Sequence, residues 1–229
     1  MAHQWWDAGA PVVGRWRTSG GPLAHPTMRK EFQPENKESL DGRPVSNPNA
    51  REPSPWVARF AAHLVPGSRV LDVASGHGRH AHYLAGRGCQ VTAIDVDPAC
   101  GQSLAGVSGV EFRQVDLESG SWPFAASSFD AVVVVHYLHR PLLPLLGTAL
   151  AEGGLLIYET FACGNERYGR PRNPDFLLRP RELLDEYASF RVLAFEDGVV
   201  AGTPPAMIQR LAAVRLEPRA SDPVEALML

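Results

Sequence analysis

The chain has 229 residues, 45% of them hydrophobic and 21% charged, with a formal net charge of -3. That suits one sizeable core plus an extension, and it supplies no general attraction to nucleic acid or to an anionic membrane. Three cysteines, Cys89, Cys100 and Cys163, have the spacing of neither a disulfide framework nor a C-x-x-C metal knuckle, so reduced thiols and a cytoplasmic setting are expected.

No apolar run approaches the ~20 residues a membrane helix needs, and the N-terminus carries no apolar signal-like region, so neither insertion nor export is expected. Residues 1–53 are rich in Gly, Pro, Asn and charge and sustain no helical or strand period, which predicts an irregular arm. Trp5, Trp6 and Trp16 should find a surface to bury against: the domain's own, a lid position over the site, or a dimer contact. A folded domain is expected over 54–217 and a tail over 218–229.

The domain opens at Ser54-Pro55, a cap residue followed by proline at the first helical position. Trp56, Val57, Phe60 and Leu64 form one apolar stripe, and Pro66-Gly67 ends the helix, which is expected to cover the sheet edge before the first strand. Val70 to Arg79 then reads as strand, tight turn and helix. Gly76 and Gly78 allow a bend of positive φ and a ligand pressed against bare backbone, so a side chain at Gly78 is expected to block that ligand. Ala81 and Asp95 also satisfy a dinucleotide fingerprint. Asp72 separates the two readings, because its carboxylate would repel a pyrophosphate and welcome a cationic group.

Gln90 to Ile94 predicts a second strand, delivering Asp95 where it can accept from two ribose hydroxyls. Asp97 caps a helix with Pro98 at its first position. Val110 to Val115 is a third strand ending at Asp116-Leu117. Phe129 to Val135 is a continuous β-branched run of the kind buried on both faces. As a fourth strand it carries His136, Tyr137 and His139 to the ligand rim. Pro141 and Pro144 delay the next helix to about Leu143–Leu150, and Gly153-Gly154 turns into a fifth strand, Leu155 to Thr160. The loop Phe161 to Arg179 is long. A helix at Leu183, Leu184 and Tyr187 follows, and Phe190–Phe195 and Met207–Leu216 read as a closing hairpin.

Asp72, Gly76 and Gly78 stand in the D-x-x-x-G-x-G register, and here the chain resembles the class I S-adenosylmethionine-dependent methyltransferases. Through Gly76-His77-Gly78-Arg79, Asp95 and the third and fourth strands, over about residues 55–160, it is similar to the bacterial tellurite-resistance methyltransferases. The resemblance implies an α/β fold of three layers with a doubly wound, seven-stranded, mostly parallel sheet and a C-terminal antiparallel hairpin. It implies S-adenosylmethionine as cofactor, bound by Asp72, Ala74, Gly76, Gly78, Arg79, Asp95, Val96, Asp116, Leu117 and His136.

Catalytic candidates are His136 and His139, each a general base or a polar wall, and Tyr137, whose ring could face a sulfonium. Arg167, Arg170 and Arg179, with Arg172, would draw an anionic substrate, or else form a solvated loop paired with Glu166 and Asp175. His77, His80 and His82 read as a solvated face rather than a metal site. The expected partner is a small molecule, the expected assembly a monomer or homodimer. Two other classes compete: an NAD(P)-dependent oxidoreductase, and a non-catalytic cofactor-binding or RNA-associated protein.

Overall fold

The valine run at the centre of the chain sets the architecture. In the computed structural model, which describes residues 52–202 and 204–216, β4 (Phe129–Val135) lies between β1 (Arg69–Val73) and β5 (Leu150–Phe161), parallel to both. Val132 and Val134 face one apolar cluster and Ala131, Val133 and Val135 the other. Both faces are dry, so the run has no polar alternation.

Seven strands follow the order β3-β2-β1-β4-β5-β7-β6, where β2 is Gln90–Asp95, β3 Val110–Gln114, β6 Arg191–Val200 and β7 Ala206–Val214. β1 to β5 are parallel; β7 enters antiparallel between β5 and β6. One face is covered by α1 (Pro55–Phe60), α2 (Arg79–Gly86) and α3 (Pro98–Leu104), through Trp56, Val57, Phe60, Ala81, Leu84 and Leu104. The other is covered by α4 (Leu143–Ala149) and α5 (Glu182–Glu186), through Leu143, Leu146, Leu183 and Tyr187. This is the expected three-layer fold.

Local rules explain the helix starts. The Ser54 hydroxyl accepts the Trp56 N–H at 3.1 Å and the Asp97 carboxylate that of Ala99 at 2.8 Å, each with proline next in line. Between β3 and β4 there is no helix. Trp122, Phe124 and Phe129 pack edge to face there, with centroids 5.2 and 5.1 Å apart, and an aromatic loop covers the core instead.

Some boundaries differ from expectation. β5 begins at Leu150: a register shift pairs Phe129 with Leu150 but Ala131 with Leu155, so residues 151–154 bulge, with Gly153 at φ 73. β6 runs on to Val200. α1 packs over β5 and β7 rather than before β1; its Trp56 lies in the cluster of Leu155, Ile157 and Ala212. The tryptophans Trp5, Trp6 and Trp16, most of the arm and the tail lie outside the described residues.

The loop after β5 is tied down by two side chains. Arg140 donates to both oxygens of Glu182 (2.7 and 3.0 Å) and to the carbonyls of Asp175 and Leu177 (both 2.8 Å). Buried Gln209 accepts from the Leu183 N–H and donates to the Arg179 carbonyl and the Asp197 carboxylate. Glu182 and two carbonyls would lose their shared donor in Arg140→Gln. Hydrogen bonds to charged groups are worth roughly 1.5–3 kcal/mol, so urea unfolding should show a loss of about 2 kcal/mol.

Candidate active site

Parallel strands put their carboxyl ends on one edge, and there the chain turns sharply after β1. Ala74 (φ 51), Gly76 (φ 54) and Gly78 (φ 78) are all left-handed. The Ser75 N–H donates to the Ile94 carbonyl at 2.9 Å, which fastens the turn to β2. At the end of β2 the buried Asp95 accepts the Gly76 N–H at 2.8 Å and the Asp97 N–H at 3.0 Å, so one carboxylate shapes both loops.

The two glycines differ. A Cβ on Gly76 would meet nothing within 4 Å, while one on Gly78 would run into the Leu104 side chain of α3. The open space lies over Gly76, and Gly78 permits helix packing; the expectation that a side chain at Gly78 blocks a ligand directly is corrected accordingly.

Beneath the turn Asp72 is 1% exposed, and its Oδ2, like the Ser75 hydroxyl, has no hydrogen-bond partner. Burial lifts its acidity constant from 3.8 to about 7, against the lowering pull of the Ala81 amide and Arg79 and with a further rise from Asp95. A carboxyl poised between its two forms, with a lone pair unused, is suited to a cation arriving over Gly76. The donor set fits S-adenosylmethionine.

Around the rim, the Val96 carbonyl accepts from Gln114 Nε2 at 3.1 Å. Asp116 is exposed and its oxygens serve its own turn: Oδ1 accepts from the Glu118 and Ser119 amides, and Oδ2 from the Ser119 hydroxyl. Those donors hold its carboxyl below the usual range. Leu117 packs partly buried against the core. Tyr137 is itself buried; burial and the charges of Glu118, Asp116 and Asp95 raise its phenol, which stays protonated.

His136 leaves β4 at φ 58, and its N–H donates to the Glu159 carbonyl at 2.8 Å. Its ring stacks on Phe161 (4.9 Å, 20°). Burial, Arg79 and Arg210 lower it to about 4, so it is neutral. His139 is partly buried and opens the turn into α4.

Two residues carry roles that sequence reasoning missed. Glu159, in the last turn of an apolar strand, is 4% exposed and accepts from the Ser54 hydroxyl at 3.1 Å and from Arg210 Nε at 2.7 Å. His80 is not on a solvated face: it is 4% exposed, its Nε2 accepts the Ser54 N–H at 3.2 Å, and burial lowers it to about 3. The available signal was an acid inside an apolar run, but its partners lie 105 and 51 residues away.

Arg167, Arg170, Arg172 and Arg179 are all exposed on the loop after β5. The exposed Glu166 accepts the Gly164 N–H at 2.8 Å, and its own and the Gly164 backbone amide hold its carboxyl below the usual range, with a smaller pull from Arg167. Among the described residues no group of three or more His, Cys, Asp or Glu side chains is placed to hold a metal, and no helix is long and apolar enough to cross a membrane. The depression lined by Arg69, Gln90, Glu111 and Phe129 lies at the opposite, amino edge of the strands and offers none of the groups above.

Fold and site define an α/β protein with an open glycine turn over a buried carboxyl at the carboxyl edge of its sheet. Residues 70–154 match the family described as Methyltransferase domain. The chain is 27% identical to the ubiquinone biosynthesis O-methyltransferase of Methylocella silvestris, over 87% of this chain and 81% of that protein. It is 30% identical to the protein-L-isoaspartate O-methyltransferase of Gloeobacter violaceus over 42% of this chain and 49% of that protein, so it spans about half that relative's length. In fold it is similar to TehB from Haemophilus influenzae, with a TM-score of 0.60 and 17% identity over 69% of this chain and 61% of that one. Residues 70–154 therefore carry the match to a methyltransferase domain, and the fold is that of solved S-adenosylmethionine-dependent methyltransferases.

Gly76→Ala and Gly78→Ala should therefore separate. Both pay left-handed strain of about 1–2 kcal/mol, but only Gly78→Ala also displaces Leu104. Calorimetry with S-adenosylhomocysteine should show the larger loss of affinity in Gly76→Ala, and urea unfolding the larger loss of stability in Gly78→Ala.

Asp72 makes a pH-dependent prediction. Its folded value near 7 lies above the unfolded 3.8, so its contribution to stability is complete below about pH 4 and is lost as pH rises to 7. Asp72→Asn should raise stability at pH 8 by on the order of 2 kcal/mol. In calorimetry, wild-type affinity for S-adenosylmethionine should strengthen from pH 5 to pH 8, and the variant should bind more weakly at pH 8 with little pH dependence.

Proposed function

We propose that the protein transfers the methyl group of S-adenosylmethionine in line to a small, anionic acceptor. The observation that carries this reading is the unpartnered, buried Asp72 oxygen below the open space at Gly76. When bound, the cofactor supplies an electrophilic methyl on a cationic sulfur that departs as a neutral thioether.

The chain's own residues hold, orient and exclude water. Asp72 takes the cationic methionine end, Arg79 its carboxylate, and Asp95 the ribose hydroxyls. Val96, the Asp116 turn and Leu117 flank the base, and Ala74 shapes the approach. Tyr137 lends a ring face to positive charge. Arg167, Arg170 and Arg179 draw the acceptor's anionic group, while His136 and His139 wall the reacting atoms or receive a proton. Alignment and exclusion of water need no acid for the leaving group.

The Methylocella silvestris and Gloeobacter violaceus relatives are both named O-methyltransferases, which favours an oxygen acceptor over the soft nucleophile that the tellurite-resistance likeness suggests. A nicotinamide-dependent oxidoreductase is disfavoured, since a pyrophosphate would face the Asp72 carboxyl and the sheet continues with an antiparallel strand.

Calorimetry should show S-adenosylhomocysteine bound and NADPH not bound; the reverse overturns the reading. A radiolabelled methyl-transfer screen should then find turnover with catechols or small hydroxyacids. Absence of turnover with all of these, with small thiols and with tRNA leaves the non-catalytic class standing. In Arg167→Ala/Arg170→Ala, KM for a carboxylate-bearing acceptor should rise about tenfold with kcat nearly unchanged.

A further inference from the structure

Glu159 is a carboxylate in an apolar strand, on the acceptor side of the edge where β4 and β5 end. Its carbonyl accepts the His136 N–H, and its Oε1 lies 3.9 Å from His136 Nε2. Its other oxygen is fixed by Arg210 and the Ser54 hydroxyl, so the carboxylate cannot swing away. Phe161 lies flat on the imidazole and fixes the plane of the ring. The His136 side chain is 25% exposed, so one pocket edge of the ring reaches solvent while Glu159, at 6%, does not.

We propose that Glu159 is the positioning residue for His136, and that the pair serves an acceptor whose attacking oxygen carries a proton, such as a phenol or enol. This rests on the methyl-transfer reading above. The acceptor's lone pair forms the bond to the methyl carbon as the carbon–sulfur bond breaks toward sulfur, and the acceptor's proton passes to the His136 ring. The proton then leaves to solvent through the exposed edge of the imidazole.

Charge explains why the carboxylate is needed. Four titratable groups face His136: Arg79 and His80 from α2, Arg210 from β7 and Glu159 from β5. The two guanidiniums and burial keep the ring neutral at rest, ready to accept a proton. The same guanidiniums would oppose the imidazolium formed by proton transfer, and neutral His80 offers no counter-charge. Glu159 is the one anion against the ring among these four. Separations of this kind in an unliganded site commonly tighten in the loaded complex. A soft anion, by contrast, needs no base and would be repelled by a buried carboxylate.

The test begins without turnover. In the unliganded protein, nitrogen NMR of labelled imidazole should show His136 titrating below the ordinary 6.5 in the wild type, and lower by at least about half a unit in Glu159→Gln. With catechol as acceptor, Glu159→Gln should lower kcat by about a hundredfold with less than a threefold change in KM, and Glu159→Asp should recover part of the loss. An unmoved His136 titration, or equal losses in kcat and KM unrelieved by aspartate, overturns the pairing.

Should Glu159→Gln not fold, the wild type decides: kcat for catechol must fall on acidification along the His136 titration, and a profile independent of it overturns the proposal. So does a wild type that methylates 2-mercaptoethanol but neither catechol nor 4-hydroxybenzoate. Absence of S-adenosylhomocysteine binding would sink the methyl-transfer reading itself; binding with an unmoved titration sinks the pairing alone.

Discussion

A carboxyl group lies under a bend of backbone that has no side chain at its open position, and the carboxyl edge of the sheet is arranged around that fact. Asp72 is shut off from solvent at 1% exposure, and its free oxygen is not supplied with a protein donor. Such a group is costly in the empty protein and favourable with a cation above it. Asp95, which clamps the turn, and Arg79, whose charge reaches Asp72, His80 and His136, are the means by which the rest of the edge responds to whether that cation is present.

A second polar cluster sits on the same edge. Ser54 from the start of α1, His80 from α2, Glu159 from β5 and Arg210 from β7 form one connected set. His80 and the adjoining His136 are kept neutral by burial and by Arg79, with Arg210 acting on His136 as well, so this edge is rich in fixed charge yet holds its imidazoles unprotonated. Ser54 belongs to both structure and site: its hydroxyl caps α1 and donates to Glu159. The entry of the chain into the domain is thereby tied to the carboxyl edge of the sheet. Arg140 does the same for the exit of β4, joining the segment that follows His136 to the arginine loop through Glu182 and two carbonyls.

What was legible in the residues was everything governed by near neighbours. A β-branched run buried on both faces, proline after a cap residue, and glycines after a strand each report constraints met within about ten residues, and these sufficed for the parallel core, the helix starts, the antiparallel close and the glycine turn with Asp72 below it. The bulge at the start of β5 was not legible, since Gly153 and Gly154 exchange backbone hydrogen bonds with Arg215, just past the end of β7 and some sixty residues away. Nor was the direction of Gly78: two glycines one residue apart look alike in sequence, and only α3 packing against one of them assigns their separate tasks.

The same division separates the two polar groups at the edge. The residues by themselves placed a carboxyl group beneath bare backbone, because strand, turn and helix are contiguous there, and from that came the expectation of a cationic ligand. Only the tertiary structure decided that His80 is buried rather than solvated and that Glu159 faces His136. Both side chains are held by Ser54, 26 and 105 positions away in the chain, and the free energy of a buried charge depends on which side chains come to surround it rather than on those that precede it in the chain.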